Sequence, residues 1–405
     1  MSRPGGWSRS GRWTVPDGDS GRRAPLDAVV VSSRRLWDLP WTAYCTELES
    51  VLAELLDADT VEIDRRDGRI AAVLAPRFRA RNVAARWPPL RSFDWEVPDR
   101  RYDLALVVVN DLRQLGVLAA LPSWRSLAHT FVAYVYEIWP AWVPAASPVI
   151  EQVVAHLDHL FVGIRVGAEA VQAATSTPVS FLLPAVDTLA ISPAVSVDDR
   201  RIDVSNRGRR DPRQHELLAS WARRTGAFYE FDTLRDGVVA EPFEHRRHYY
   251  EQTARSLAFV ANPARFDLPE LSAGVAEVGL RYLEALACGT VLIGDHPPGS
   301  ACRRALGDPP GVADLPAGAP ALGGELEQLL GAPSTLHELG LANRAWALAH
   351  HDVVHRWDVM AATLGITGPA AVDQRRAALR IASGLVQPGA AVQERLATAA
   401  SSAAR

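Results

Sequence analysis

The feature that most constrains the fold of this chain is a series of short runs that are apolar at nearly every position. The longest are Leu104–Val109 and Phe131–Tyr136, and neither alternates between polar and apolar residues. A strand of this kind needs cover on both faces, which is typical of parallel sheets flanked by helices. The strands predicted in the first half are Ala28–Val31, Thr60–Ile63, Ile70–Leu74, Leu104–Val109, Phe131–Tyr136, His159–Val162 and Val179–Leu183. The sequence therefore predicts an α/β protein.

The same pattern restarts after residue 200 and predicts a second domain. Its expected strands are Ile202–Val204, Leu257–Val260 and Val291–Ile293. The predicted organisation is a disordered leader (1–24), an N-terminal Rossmann-like domain (25–187), a C-terminal Rossmann-like domain (200–345), a helix that packs back (346–365) and an Ala-rich, loosely helical or disordered tail (366–405). Ligands of such sheets bind beyond the carboxyl ends of the strands, so we expect the site in a cleft between the domains.

The segment from Glu277 to Asp295 indicates a helix, a stop and a buried strand. Leucines recur at helical spacing before Gly289, which stands where a helix end favours positive φ. We expect Glu277 and Glu284, seven residues apart, to lie near one face of this helix. Arg281 would lie in its first turns, where N–H groups and the helix dipole favour a phosphate.

The run Glu284-Ala-Leu-Ala-Cys-Gly-Thr290 resembles the C-terminal signature of retaining GT-B glycosyltransferases, in particular glycosyltransferase family 4 and the spore-protein-like branch beside it. The run from Arg281 to Glu284 looks more like the spore-protein-like branch. The resemblance implies a GT-B fold, transfer with retention of configuration, and a hydrogen bond from Glu284 to the donor ribose. The family's first Glu falls on Ala276, so Glu277, one residue late, is the candidate for its catalytic role.

Arginines are the expected ligands of the donor diphosphate, because the chain contains no lysine. Arg207-Gly-Arg-Arg210 follows a predicted strand and resembles the family's Gly-Arg element, so Arg209 or Arg210 is the main candidate. For a second cation the candidates are Arg255, Arg265 and Arg281, and Arg281 is preferred. The alternatives are a solvated charge run for the first group and an ion pair with Glu284 or Glu277 for Arg281.

The N-terminal half offers further candidates through the same resemblance. Tyr136 stands where family 4 proteins often carry a His that contacts the donor sugar, and we treat it as a catalytic candidate. A Tyr there can hydrogen-bond a hydroxyl, and its alternative is a packed strand-end aromatic. Ser33, Arg34 and Trp37 follow the first strand, where GT-B enzymes present an acceptor loop, so they are the acceptor candidates. The alternative for Trp37 is core packing.

Composition limits the other classes of function. No apolar run reaches the length of a membrane span, and three scattered cysteines fit a reducing cytoplasm. His351 and His355 share a helical spacing, but Asp352 stands where a zinc protease has Glu, so we expect no metal site. The net charge of −4 gives no reason to expect a nucleic-acid polymer as partner, and we exclude one.

The sequence thus predicts a cytoplasmic hexosyltransferase that uses a UDP- or GDP-linked sugar and no separate cofactor. The acceptor is left open among a glycan precursor, a small metabolite and a peptide, as is the oligomeric state. One alternative is a degenerate GT-B module that binds a nucleotide sugar or a protein without transfer. Another is an inverting transferase or an epimerase, which needs a catalytic base that the sequence does not locate.

Overall fold

The computed structural model describes residues 26–37, 40–65, 93–96, 98–121, 123–192, 196–233, 241–296 and 300–385. The predicted leader, the predicted strand Ile70–Leu74 and the end of the predicted tail (386–405) lie outside these residues. Within the described ranges, no helix combines the length and the apolar character that crossing a bilayer needs.

The strands fall into two parallel sheets and one small antiparallel pair. The first sheet has the order β2-β1-β5-β6-β7-β8, the second the order β10-β9-β11-β12-β13, and β3 pairs with β4. The strands are β1 Ala28–Ser32, β2 Asp59–Glu62, β3 Asp64–Arg65, β4 Phe93–Asp94, β5 Tyr102–Asp111, β6 Ala128–Glu137, β7 His159–Val162, β8 Val179–Phe181, β9 Ile202–Asn206, β10 Tyr229–Phe231, β11 Ser256–Val260, β12 Val291–Gly294 and β13 Val312–Asp314. The predicted α/β architecture of two Rossmann-like domains is confirmed.

Helices cover both faces of each sheet. The α-helices of the described residues are α1 Ala43–Leu56, α2 Gly116–Ala119, α3 Ser147–Gln152, α4 Arg165–Gln172, α5 Pro212–Thr225, α6 Pro242–Ala254, α7 Pro269–Ser272, α8 Leu280–Ala287, α9 Ala301–Leu306, α10 Gly324–Leu330, α11 Pro333–His350, α12 Val353–Leu364 and α13 Ala370–Leu385. Single turns of 3-10 helix occupy Arg34–Leu36, Pro40–Thr42, Leu112–Leu115, Trp124–Leu127, Pro140–Trp142, Pro144–Ala146, Val154–His156 and Val197–Asp199.

Alternate residues of the central strands enter different cores, as an apolar strand requires. In β5, Val107 and Val109 pack into one core, while Leu106 and Val108 pack into the core on the other face. That second core also contains Trp357 of α12, so a helix from the C-terminal part of the chain covers the N-terminal sheet. The two domains are therefore joined by packing as well as by the connecting chain.

Residues 370–385 differ from the loose tail that the sequence suggests, because they form the packed helix α13. Arg375 on this helix is buried and pairs with Asp352 at 2.6 Å and with Asp187 at 2.7 Å. Thr188 also donates its hydroxyl to Asp352 at 2.5 Å. An Ala-rich sequence gives little sign of these contacts, which anchor the helix where the chain leaves the first domain.

Each sheet contains one pair of adjacent strands whose following connections lead to opposite sides of the sheet. In the first sheet β1 leads to β2 on one side, whereas β5 leads to β6 on the other. In the second sheet β9 leads to β10 on one side and β11 leads to β12 on the other. The loops after such neighbours diverge and leave a crevice at the carboxyl ends, which is the usual ligand site of open α/β sheets. This topology positions one crevice in each domain.

Candidate functional site

The carboxyl ends of the two sheets meet across a cleft. At the end of β6, Tyr136 accepts a hydrogen bond from the backbone N–H of Leu280, the first residue of α8, at 3.3 Å. Next to it, Glu137 pairs with Arg265 from the loop after β11 at 2.5 Å. These contacts bring the N-terminal domain against the part of the C-terminal domain where the sequence predicts the donor site.

Helix α8 starts at Leu280, three residues later than Glu277, and this corrects the predicted geometry. Gly279 is extended and ends the preceding loop, so Glu277 and Glu284 do not share a helical face. The C-terminal end of α8 agrees with the predicted helix stop, because Gly289 follows the helix with a φ of +72°. Buried Arg200 and Arg344 donate to carbonyls of Gly289 and Ala287, and cations there complement the helix dipole.

Glu284 lies completely buried on α8 and binds two arginines. Arg281 donates to its Oε2 at 2.7 Å, and Arg246 of α6 donates to its Oε1. Burial alone would raise the pKa of Glu284, but the two guanidinium groups outweigh it and lower the pKa to about 2. Glu284 is therefore ionised at neutral pH and holds Arg281 in place.

Arg246 and its partner Glu47 are the main features of this region that the sequence analysis missed. Arg246 binds both carboxylate oxygens of Glu47 on α1, at 3.0 and 3.1 Å, and also the hydroxyl of Tyr250. Because α1 belongs to the first domain and α6 to the second, this buried network joins the domains. The available signal was a pair of carboxylates, Glu47 and Glu49, within an otherwise mostly apolar helix.

The loop Arg207–Arg210 lies over α8, at the crevice between β9 and β11. Gly208 has φ +87°, and a Cβ on it would lie 3.6 Å from Nε of Arg281. A glycine therefore permits both the turn and the close approach of backbone to guanidinium. The backbone N–H of Gly208 donates to Asp232 at 2.7 Å. The structure thus brings the loop and Arg281 close together.

The arginines of this loop are each held by an acidic group or a carbonyl. Arg209 pairs with Asp267 at 2.7 Å, and both side chains remain about two-fifths exposed, at 43% and 38%. Arg210 donates to the carbonyl of Asp232 and lies 5.1 Å from the Phe231 ring. An exposed pair contributes little to stability, so Arg209 can exchange Asp267 for another anion at small cost.

Of the three candidates for a second cation, the structure brings two to the cleft. Arg281 and Arg265 lie there, as described above. Arg255 instead follows α6 and is exposed at the amino end of the sheet, where its carbonyl accepts from Ile202 at 3.1 Å. The residue directly before a strand lies at the edge opposite to the strand's carboxyl end, which is why Arg255 is far from the other candidates.

The two catalytic candidates are engaged in contacts between the domains. Glu277 is 3% exposed, and its Oε1 accepts from the backbone N–H of Val166, in the first turn of α4, at 3.1 Å. Burial raises the pKa of Glu277, and the N–H groups at the start of α4 act in the opposite sense. Burial also raises the pKa of Tyr136, so its phenol stays protonated and serves as a hydrogen-bonding group.

The three acceptor candidates line one recess in the first domain. Ser33, Arg34 and Trp37 line a small recess at the crevice between β1 and β5. Glu49 and Asn110, which the sequence analysis did not select, line the same space. The structure therefore brings the acceptor candidates together, at the edge of the sheet that faces the cleft.

The two histidines considered as metal ligands bind protein groups instead. His351 contacts the carbonyl of Leu306 through Nε2 at 3.2 Å and Arg356 through Nδ1 at 3.1 Å. His355 contacts the carbonyl of Leu348 at 3.2 Å. Among the residues that the structure describes, no group of three or more His, Cys, Asp or Glu is placed to hold a metal ion.

The solved structures to which this chain is similar are glycosyltransferases. An alpha-glucosyltransferase in complex with UDP and a 13-mer DNA containing an HMU base matches with 9% sequence identity and a TM-score of 0.51, over 83% of this chain and 98% of that one. An alpha-glucosyltransferase in complex with UDP matches with 8% identity and a TM-score of 0.49, over 83% and 98%. A variant of TarM from S. aureus in complex with UDP matches with 9% identity and a TM-score of 0.41, over 63% and 55%.

The first of these matches shows the fold, so the predicted GT-B class is confirmed. No protein-family model and no curated protein matches the chain. Membership of family 4 or of the spore-protein-like branch stays a prediction.

One expectation is wrong. A nucleic-acid polymer was excluded as a partner because of the small negative net charge. An alpha-glucosyltransferase with this fold is nevertheless solved in complex with UDP and a 13-mer DNA. Net charge describes the whole surface and says nothing about one local groove, so it gave no ground for the exclusion.

Proposed function

We propose that this protein is a glycosyltransferase that moves a hexose from a nucleotide-diphosphate sugar to an acceptor. The observation that carries the proposal is the convergence of the Arg207–Arg210 loop with Arg281 and the start of α8. They meet at the crevice between β9 and β11, opposite the N-terminal domain. Cations, a glycine turn and a helix start at one such crevice suit a diphosphate.

The proposed chemistry depends on charge that develops during the reaction. Breaking the bond between the sugar and the diphosphate builds negative charge on the leaving group. Arginines aimed at that position stabilise the transition state more than the ground state. We assign this role to Arg281 and to Arg209, which would leave Asp267 for the diphosphate, with Arg210 beside them. A planar guanidinium group can bind two phosphate oxygens at once, and this favours the exchange of Asp267 for the diphosphate at Arg209.

Glu284 supports this site in the proposal by holding Arg281. The resemblance assigns Glu284 to the donor ribose, and such a contact requires Arg246 or Arg281 to give up one carboxylate oxygen. Tyr136 and Glu277 stay candidates for contacts near the transferred sugar, because both lie where the two domains contact each other. Retention of configuration, a UDP- or GDP-linked donor and independence of metal are carried over from the resemblance, and a cytoplasmic location from the three scattered cysteines.

One observation favours a second candidate function. Both Glu277 and Glu284 already bind protein groups, Val166 in one case and two arginines in the other. A GT-B module that binds a nucleotide sugar without transferring it needs neither carboxylate for chemistry. Turnover decides between the two functions.

The test measures binding and turnover separately. Isothermal titration with UDP, GDP and their glucose and mannose conjugates measures donor binding, and release of the free nucleotide measures transfer or hydrolysis. The variants are Arg209→Ala and Arg281→Ala. The control is Arg224→Ala, an exposed arginine that pairs with Glu327 at the other end of α5. Arg255→Ala is expected to behave like the control.

We expect one nucleotide family to bind, with affinity reduced about tenfold or more in the Arg209 and Arg281 variants. Nucleotide release from the sugar conjugate supports the transferase. Binding without release, across sugar and polyol acceptors, supports the non-transferring module. Equal binding by all four variants, or no binding by folded protein, contradicts both assignments of the site.

A further inference from the structure

Four charged side chains form one line of contacts from helix α1 to the candidate donor site. Glu47 of α1 binds Arg246 of α6, which in turn binds Glu284 of α8. Glu284 completes the line by binding Arg281 at 2.7 Å. The first three side chains are buried, whereas the side chain of Arg281 is 41% exposed. The line of contacts therefore starts at a buried carboxylate of the first domain and ends at a guanidinium group that a ligand can reach.

Every nitrogen of the Arg246 guanidinium group is engaged. Nε and Nη2 donate to the two carboxylate oxygens of Glu47, at 3.0 and 3.1 Å, and Nη2 also donates to the hydroxyl of Tyr250. Nη1 donates to Oε1 of Glu284. A planar fork that is bound on both sides keeps one orientation, so Arg246 fixes the placement of α1 relative to α8. Because Arg246 is buried and fully engaged, it acts on a ligand through its neighbours.

Helix α6 also supports Arg281 from a second side. The guanidinium carbon of Arg281 lies 4.5 Å from the centre of the Tyr249 ring, which is within the range of a cation–π contact. Arg246, Tyr249 and Tyr250 stand at helical spacings of three and four residues, so they share one face of α6. A displacement of α6 would therefore move both supports of Arg281, the aromatic ring directly and the Glu284 carboxylate through Arg246.

The first domain holds the other end of the line of contacts. Glu47 accepts the hydroxyl of Tyr250 at 2.8 Å in addition to its contacts with Arg246. It also accepts the backbone N–H of Asp187 at 3.5 Å, where the chain leaves the first domain. If the angle between the domains changes, Arg246 must follow Glu47 or lose it as a partner, and a buried charge that loses its partner is strongly destabilising. The arrangement of the domains is thereby connected to the position of Arg281.

We propose that Arg246 is a positioning residue of the donor site, which holds Glu284 and Arg281 in their binding arrangement only while Glu47 keeps the first domain in place. This inference rests on the proposed function, because it takes the diphosphate as the ligand of Arg281. It makes donor affinity depend on Glu47, a carboxylate of the other domain that is three contacts away from Arg281. The coupling is reciprocal, so donor binding in turn strengthens the contact between the domains.

Charge and position predict opposite effects for a change at Glu47. The four side chains in the line of contacts carry two positive and two negative formal charges. Glu47→Gln leaves a net positive charge, so electrostatics alone would tighten the binding of a diphosphate anion. The positioning role predicts weaker binding, because Arg246 loses the carboxylate that holds it against α1. Arg246→Lys is the complementary change, since it keeps the charge and removes the planar fork that binds two carboxylates.

The experiment uses the full chain and isothermal titration with UDP and GDP. The nucleotide that binds the wild type is then titrated into Glu47→Gln and Arg246→Lys. Glu54→Gln removes the same charge from an exposed position of α1 and is the control for charge. Leu52→Ala truncates a buried side chain of α1 outside the line of contacts and is the control for lost stability. Circular dichroism shows whether each variant is folded at the temperature of the titration.

We expect the dissociation constant of the nucleotide to rise about fivefold or more in Glu47→Gln and in Arg246→Lys, and to stay unchanged in both controls. Equal or tighter binding by Glu47→Gln overturns the proposal, as does unchanged binding by Arg246→Lys. A loss of affinity in Leu52→Ala as large as that in Glu47→Gln also overturns it, because lost stability would then explain the effect. If only one of the two test variants folds, its affinity decides.

The positioning role and the proposed function fail in distinguishable ways. If the alanine variants of Arg209 and Arg281 weaken nucleotide binding while Glu47→Gln and Arg246→Lys do not, the donor site stands and the positioning role is overturned. If no nucleotide binds the folded wild type, the proposed function fails and the positioning role fails with it.

Discussion

Replacing Arg246 by Met tests whether the buried network between α1 and α6 holds the two domains together. Arg246 is 6% exposed and contacts Glu47 and Glu284, which are 9% and 0% exposed. Methionine keeps much of the length of the side chain and removes the charge. Glu47 then keeps the hydroxyl of Tyr250, and Glu284 keeps Arg281, so neither carboxylate is wholly without a partner.

The expected loss of stability follows from the burial of these carboxylates. Removing one partner of a buried ion pair typically costs about 3–5 kcal/mol of unfolding free energy. The remaining partners reduce this cost, but two carboxylates are affected, so we expect about 3–5 kcal/mol for Arg246→Met. The control is Arg247→Met on the same helix, where the arginine pairs with Glu244 and Glu251 in exposed pairs. That variant should lose much less stability, because solvent screens exposed ion pairs and they contribute little.

Urea denaturation followed by tryptophan fluorescence and circular dichroism measures the change. If the domains unfold in separate transitions, the first should carry the loss, because the network breaks when either domain unfolds. Glu47→Gln and the double variant complete a cycle that isolates the Glu47–Arg246 contact. The reasoning is refuted if Arg246→Met loses no more than Arg247→Met, or if the cycle gives a coupling below about 0.5 kcal/mol.

Three further predictions concern stability. Burial raises the pKa of Glu49 in the folded protein to about 7, above that of an unfolded glutamate, so the stabilisation from its protonated carboxyl is present at low pH and is lost as pH rises through 7. In urea titrations the unfolding free energy of the wild type should fall by about 2 kcal/mol between pH 5 and 8, and that of Glu49→Gln should not show this fall. Burial lowers the pKa of His351 to about 3, so the folded protein favours the neutral ring and loses stability as pH drops below the pKa of an unfolded histidine. Between pH 7 and 5 the wild type should lose about 2 kcal/mol of unfolding free energy that His351→Gln does not lose. Equal pH profiles of stability for the two proteins would contradict this. Gly340→Ala should destabilise the protein although alanine favours helices, because the new Cβ would lie 2.1 Å from the carbonyl oxygen of Gly289. The control is Gly324→Ala, where a Cβ meets no atom within 4 Å. An unchanged thermal unfolding midpoint for Gly340→Ala would count against the packing of α11 on the end of α8.

The local pattern was sufficient for the class of fold. A strand such as Val107–Val109 needs cover on both faces whatever its neighbours are, so an apolar run predicts a parallel sheet without further information. Gly289 likewise marks a helix end through its own φ angle. The same local reasoning placed the start of α8 too early, because the extended Gly279 and the capping of α4 by Glu277 depend on a different domain.

Candidate residues were located from sequence where they follow strands, and missed where they depend on helix packing. The loop Arg207–Arg210 and the residues Ser33 and Arg34 follow strands, and parallel strands bring their carboxyl ends to one edge. Arg255 precedes a strand and so lies at the opposite edge, although it is close in sequence to the same unit. These arginines lie at opposite edges of the sheet because some follow a strand and Arg255 precedes one, although the residue type is the same.

The sequence alone determined the two apolar sheets, the helix stop at Gly289 and the absence of lysine from every cationic site, because each follows from residue type and spacing along the chain. The tertiary structure alone decided that Arg246 joins Glu47 to Glu284, residues 199 and 38 positions away from it. It also decided that Glu49 and Asn110 share a recess and that Glu277 binds the start of α4. Such contacts depend on how the two domains are placed. A buried carboxylate pairs with the cation that lies nearest in space, and the spacing of residues along the chain does not determine which cation that is.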